Sequence, residues 1–156
     1  MSELQARIED FLAQKHIAVA GVRSTKDDAA NLIYRKLRET GRTVYAINPN
    51  AQSVEGDPCY PDLASTPQPP TAVMIVTRPE VTDALIKQCA ELGIQRVWVH
   101  NSFMGNSLSP ETVALCKAHN IKLIPGLCPM MFVEKADFFH KAAHWFTSVT
   151  GKLPQV

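Results

Sequence analysis

The stretch IAVAGVRSTKDDAANLIYRKL, residues 17–37, decides how the chain is read. It opens on apolar residues, turns at a single glycine, passes through a polar loop and resumes as a helix. Asp28 stands where a helix N-cap belongs. Ala30, Ile33 and Leu37 then recur on one face, and Gly41 follows where a left-handed terminator is expected. Strand, glycine turn and helix in that order open a nucleotide-binding α/β unit. Gly21 lets the main chain turn tightly or approach a ligand. The helix after it presents unpaired N–H groups and partial positive charge, which suit a phosphate. The fingerprint G-x-G-x-x-G is nevertheless absent, because Arg23 and Lys26 hold the second and third glycine positions. Asp27 and Asp28 bring negative charge to the same helix start, so an anion fits there if they point away. The alternative is a strand-to-helix turn that holds no ligand.

Working outward, four further apolar runs follow: TVYAIN from Thr43, AVMIV from Ala72, RVWV from Arg96 and KLIP from Lys122. They are apolar throughout rather than alternating, as strands buried on both faces are. Helical patterns lie between them. Pro79 starts one with Val81, Leu85, Cys89 and Leu92 as its apolar stripe, ended by Gly93. Ser109 and Pro110 start another, which Asn120 ends. Ser2 and Gln5 fit a capping box on an N-terminal helix over residues 3–14. A closing helix is expected over about residues 135–150, with Phe138, Phe139, Ala142, Trp145 and Phe146 on its apolar side. Strand starts recur about every 24 to 29 residues, the repeat of a βαβ unit. Right-handed crossovers then predict a Rossmann-like, doubly wound parallel five-stranded α/β sheet of order 3-2-1-4-5, with helices on both faces. The 156 residues suit one such domain, 1–156. Ligands bind such sheets beyond the carboxyl ends of the strands, where the winding reverses. In the expected order that crevice lies between strands one and four.

Composition narrows the function classes. Sixteen Lys and Arg against fifteen Asp and Glu leave no basic field for nucleic acid. No run of about 20 apolar residues spans a membrane, and the N-terminus lacks the apolar core of a signal peptide. A cytoplasmic location is the expectation. The four cysteines, Cys59, Cys89, Cys116 and Cys128, form no C-x-x-C pair and match no zinc spacing. Cys89 and Cys116 fall in helical patterns as small buried hydrophobes.

The strand ends carry the candidate chemistry. An NAD site wants an acidic residue at the end of strand two; here Asn48 and Pro49 stand there, an Asn-Pro turn opener or an uncharged nucleotide contact. Arg78 is held at the rim by Pro79, either as a phosphate ligand or as a solvated helix-start arginine. His100 ends strand four, as a lining residue or a proton-transfer group. His140 and His144 share a helix face, but Lys141 replaces the zincin glutamate and no third ligand is identifiable, so no metal site is assigned. Ser24, Ser102 and Ser107 lie on loops without a G-x-S-x-G elbow. No catalytic residue is assigned.

The ordered set IAVAGVRS, VYAINPN, EGDPCYPDL, TRPE, VWVH and CPM resembles the stand-alone CoA-binding domain family, small relatives of the CoA-binding domain of the succinyl-CoA synthetase α subunit. The resemblance covers roughly residues 17–131. The segment LIPGLCP also resembles a rim loop of the synthetases, which puts Cys128 and Pro129 at the rim. The family implies coenzyme A as ligand, held through its 3′-phosphate ADP portion. By that resemblance Gly21, Val22, Arg23 and Ser24 approach the phosphates. Asn48 and Pro49 flank the nucleotide, and Thr77, Arg78 and Pro79 close over it. Relatives often have Ser at Arg23, which here either adds a phosphate contact or fills the pocket. Cys128 either packs in a tight turn or meets the CoA thiol. The synthetases carry their phosphorylated histidine in a second domain, so ligase activity is not transferred.

The expected function is therefore binding of CoA or an acyl-CoA, non-catalytic on its own. One alternative is an NAD(P)-dependent oxidoreductase using Arg23 and His100. Another is an assembly module in which the closing helix pairs subunits into a homo-oligomer.

Overall fold

Each of the five apolar runs forms a parallel strand, because each is buried on both faces and can satisfy its main chain only from neighbouring strands. The computed structural model describes residues 2–25, 28–100 and 108–126. The expected runs become β1 (His16–Ala20), β2 (Thr43–Ile47), β5 (Ala72–Ile75), β6 (Arg96–Val99) and β7 (Lys122–Pro125). Two short strands that were not expected, β3 (Ser53–Val54) and β4 (Asp57–Tyr60), form a hairpin between β2 and β5 in the chain. The sheet order is β3-β4-β2-β1-β5-β6-β7.

This corrects the expected five-stranded order 3-2-1-4-5. The third apolar run does not lie outside β2. It lies against β1, with Ala20 aligned to Ile75 on one side and Ile47 on the other. The cause is β4, which runs parallel to β2 and takes its outer edge. The chain must then cross β1 to find an open edge. Apart from antiparallel β3, the six parallel strands run 3-2-1-4-5-6, the order of dinucleotide-binding sheets. The winding reverses between β1 and β5, so the crevice is not next to Arg96–Val99 as expected.

Alternate residues along each strand feed two cores. Ile17, Val19, Met74, Trp98 and Ile124 pack beneath α1 (Glu3–Leu12) and α2 (Ala29–Glu39). Ala18, Val73, Ile75, Val97 and Leu123 pack beneath α3 (Pro79–Leu92) and α4 (Pro110–Ala118). Helices thus cover both faces. Phe11 of α1 meets Trp98 edge-on, with ring centroids 5.4 Å apart. Arg96 donates to Asp10 at 2.6 Å, and Arg7 to the Leu123 carbonyl at 2.8 Å, fixing α1 over β6 and β7.

The caps follow their residues. Ser2, Asp28 and Ser109 each accept a first-turn N–H, Pro110 opens α4, and Gly93 ends α3 in the left-handed region. The buried stripe of α3 differs from the expected one. It runs through Thr82, Leu85, Ile86 and Cys89, while Val81 and Leu92 are 40% and 45% exposed. Thr82 can be buried because its hydroxyl donates back to the Arg78 carbonyl at 3.1 Å. The closing helix with His140 and His144, together with Ser102, Ser107 and Cys128, lies outside the described residues.

The β3–β4 hairpin turns at Glu55 and Gly56, both with positive φ, and α2 holds it down. Tyr34 donates to Asp57 at 2.6 Å, and Arg38 donates to the same oxygen at 2.8 Å. Arg35 pairs with Glu55. The Tyr34 hydrogen bond, then Arg38, holds the Asp57 carboxyl below its usual range. Burial and that same bond push the Tyr34 hydroxyl up.

Candidate functional site

At the carboxyl ends of the strands the loops after β1, β2 and β5 are in direct contact. Gly21 joins the first to the third. Its φ is +106°, and a Cβ placed there would lie 2.1 Å from the Val76 carbonyl oxygen and 3.4 Å from Thr77 Cγ2. Of its two expected uses, the close approach is therefore to a neighbouring loop of the same chain. Its N–H is spent on the Ile47 carbonyl at 3.3 Å.

Asn48 joins the second loop to the first. Its Nδ2 donates to the Val22 carbonyl at 2.9 Å, and its Oδ1 accepts the Asn50 N–H at 2.8 Å. The second bond is the Asn-Pro turn opener that the sequence suggested. Both ends of the carboxamide are thereby engaged within the rim. Pro49 beside it is exposed. The Cys59 thiol donates to the Asn48 carbonyl at 3.6 Å, and burial pushes it up.

Val22 is buried in the core beneath α2, whereas Arg23, Ser24 and Thr25 are exposed. The main chain of Arg23 is fixed by Asn31, a residue that the sequence reading did not single out. Asn31 Oδ1 accepts the Arg23 N–H at 3.1 Å and Nδ2 donates to the Arg23 carbonyl at 2.8 Å. The carboxamide is 3% exposed. Its one available signal was its place in the first turn of the helix behind the turn it holds. Asp28 does not point away from the helix start. It accepts the Ala30 N–H at 3.1 Å and pairs with Arg23 Nε at 3.6 Å. Asp27 lies outside the described residues.

In the third loop the Thr77 hydroxyl bonds the Thr82 hydroxyl at 2.9 Å. Arg78 is the extended N-cap of α3, before Pro79 in the first turn, and its own side chain makes no cap bond. Arg78 is exposed, and among the described residues its guanidinium has no ion-pair partner. In the fourth, the His100 N–H donates to the Ile75 carbonyl at 2.9 Å. His100 Nδ1 is buried and finds no partner among the described residues, and burial lowers the imidazole from its ordinary value. Gly21, Val22, Arg23, Asn48 and Thr77 are thus brought together by contact, with Ser24, Pro49, Arg78 and Pro79 next to them in the chain. His100 stands one strand further along. Among the described residues no cluster of three or more His, Cys, Asp or Glu could hold a metal, and no helix is long and apolar enough to cross a membrane.

A family model described as a CoA binding domain matches residues 15–134. The ADP-forming acetate–CoA ligase I of Archaeoglobus fulgidus is 25% identical over 127 residues, which are 78% of this chain and 18% of the ligase. The ADP-forming acetate–CoA ligase II of the same organism is 24% identical over 124 residues, 74% of this chain and 18% of the ligase. The chain thus spans less than a fifth of these relatives. Among solved structures, a hypothetical protein from Pyrococcus horikoshii OT3 superposes with a TM-score of 0.74 at 24% identity, covering 88% of this chain and 92% of that one. The apo form of a dinucleotide-forming acetyl-coenzyme A synthetase 1 from Ca. Korarchaeum cryptofilum superposes with a TM-score of 0.66 at 22% identity, covering 76% of this chain and 27% of that one. These superpositions speak for the fold.

Proposed function

Because the chain belongs to the CoA-binding domain family, we propose that it binds coenzyme A or an acyl-CoA, with the nucleotide diphosphate at the rim between β1 and β5 of its Rossmann-like sheet. The observation that carries this reading is the meeting of three strand-end loops where the winding reverses, in a chain of that family. A diphosphate there lies near the start of α2, where the aligned peptide dipoles favour negative charge and the Asp28 carboxylate, which takes the Ala30 N–H and pairs with Arg23, opposes it. Arg78, whose backbone is held at the rim by Pro79, supplies a guanidinium. Arg23 supplies a second, oriented by Asp28. Gly21, Val22 and Asn48 shape the floor, Ser24 offers a hydroxyl, and Thr77 and Pro49 form the walls. Cys128 belongs to the same proposed rim through its resemblance to the synthetase loop.

The role proposed is binding rather than turnover. An NAD(P) site is less well supported. The residue after β2 is uncharged, and its carboxamide is already engaged by Val22 and Asn50. Cys59, Cys89 and Cys116 are free thiols, which accords with a cytoplasmic setting.

Isothermal titration with CoA, NADP+ and ATP tests the reading. CoA binds under it, and Arg78→Ala weakens CoA about tenfold, the loss of one charge-assisted hydrogen bond. Binding of NADP+ without CoA overturns the ligand. An unchanged CoA affinity in Arg78→Ala overturns its placement.

A further inference from the structure

We propose that Asn31 is the positioning residue of the diphosphate turn, doing by side-chain hydrogen bonds what a glycine-rich loop does by backbone freedom. The inference rests on the CoA-binding reading and deepens it. A dinucleotide turn of the G-x-G-x-x-G kind can bring its main chain close to a pyrophosphate because three glycines permit it. Here one glycine remains, and its missing side chain accommodates the Val76 carbonyl. The shape of residues 22–25 must come from elsewhere.

It comes from two asparagines. Asn48 fixes the Val22 carbonyl from the loop after β2, and Asn31 grips both the N–H and the carbonyl of Arg23 from within α2. Three side-chain bonds on two consecutive residues leave the turn little freedom. A carboxamide that is almost fully buried and has both ends engaged is held in one rotamer, so the turn inherits the rigidity of α2.

The arrangement also decides which groups can meet an anion. The Gly21 and Arg23 N–H groups are already donated, to the Ile47 carbonyl and Asn31. Asp28 takes the Ala30 N–H. Among the described residues of the turn, the exposed donors without a hydrogen bond are the main-chain N–H groups and hydroxyls of Ser24 and Thr25, beside the Arg23 guanidinium, which is ion-paired to Asp28 at 3.6 Å. Asn31 therefore acts through another segment: it aims Ser24 and Thr25 at the phosphates without touching them.

The experiment uses the full chain with Asn31→Ala and Asn31→Asp. Ile33→Val, a buried change on the same helix, controls for lost stability. Two probes, CoA and ADP, share the diphosphate, and amide hydrogen exchange at Arg23 reports the turn itself. Asn31→Ala is expected to lose protection at Arg23 and to weaken both probes by the same factor, about tenfold. Asn31→Asp keeps an acceptor for the Arg23 N–H but turns a second oxygen toward the Arg23 carbonyl in place of a donor, so it retains only part of the protection, while Ile33→Val changes neither readout. The proposal is overturned if Asn31→Ala keeps the Arg23 amide protected, if it binds ADP as the parent does, or if Ile33→Val loses as much affinity. It is overturned equally if the parent binds neither probe. If the parent binds ADP but not CoA, and Asn31→Ala weakens ADP, the CoA reading fails and the positioning role stands.

Discussion

Replacing Gly21 by alanine tests the contact on which the rim is built. At φ +106° a side chain is disfavoured, and residues forced into such regions cost about 1–3 kcal/mol. The added methyl would also stand 2.1 Å from the Val76 carbonyl oxygen. That oxygen is main chain at the end of a central strand, so it cannot swing aside as a flexible side chain would. Overpacking of this kind adds about 1–3 kcal/mol. Taking about 4 kcal/mol for the sum, Tm falls by about 8–16 °C for a chain of this size. Gly93→Ala is the matched control. Gly93 also has positive φ, +74°, but a methyl there meets no atom within 4 Å. Only the left-handed penalty of about 1–2 kcal/mol applies. Thermal melts and urea titrations of the two variants separate the contributions, provided the urea slope is unchanged. If Gly21→Ala melts no lower than Gly93→Ala, the first and third loops do not meet as described, and the rim loses its floor.

Two further outcomes follow from charge. Asp28→Asn keeps a good N-cap but removes a carboxylate 3.6 Å from Arg23; CoA should bind about threefold tighter at low salt, the gain fading as salt is raised, and an unchanged affinity would place the anion away from this helix. The Asp57 carboxyl is depressed in the folded protein, so its contribution to stability is present above its unfolded value of about 3.9 and is lost as pH falls through the lower folded value. Urea midpoints of the parent and Asp57→Asn should therefore differ most at neutral pH and converge in acid; a gap that widens in acid contradicts the Tyr34 and Arg38 pairing.

The five parallel strands of the apolar runs were legible because a strand buried on both faces must be apolar along most of its length. The hairpin was not. β4 is Asp-Pro-Cys-Tyr, and three of its residues are only half-buried. Its pairing to β2 rests on Cys59 and Tyr60 alone. Missing it also misplaced the third apolar run, since strand spacing says when a chain crosses over but not which edge is free. Gly21 and Asn48 were singled out by their position at strand ends, and Thr77 through the family resemblance. Asn31 was not, because a polar residue in the first turn of a helix reads as solvated, and its partners lie eight residues back. Thr82 was missed for a related reason: a hydroxyl bonded to its own helix behaves as an apolar residue.

The small hairpin also bears on what this edge of the sheet presents to another chain. An exposed parallel strand is an invitation to a stranger, because its unpaired amides and carbonyls can recruit another polypeptide and go on recruiting. Here β2 does not stand on that border. β4 shields it, carrying a proline that has no amide to offer, and beyond β4 the sheet ends in two residues bent back by Glu55 and Gly56. On that side, the fold has written its own full stop.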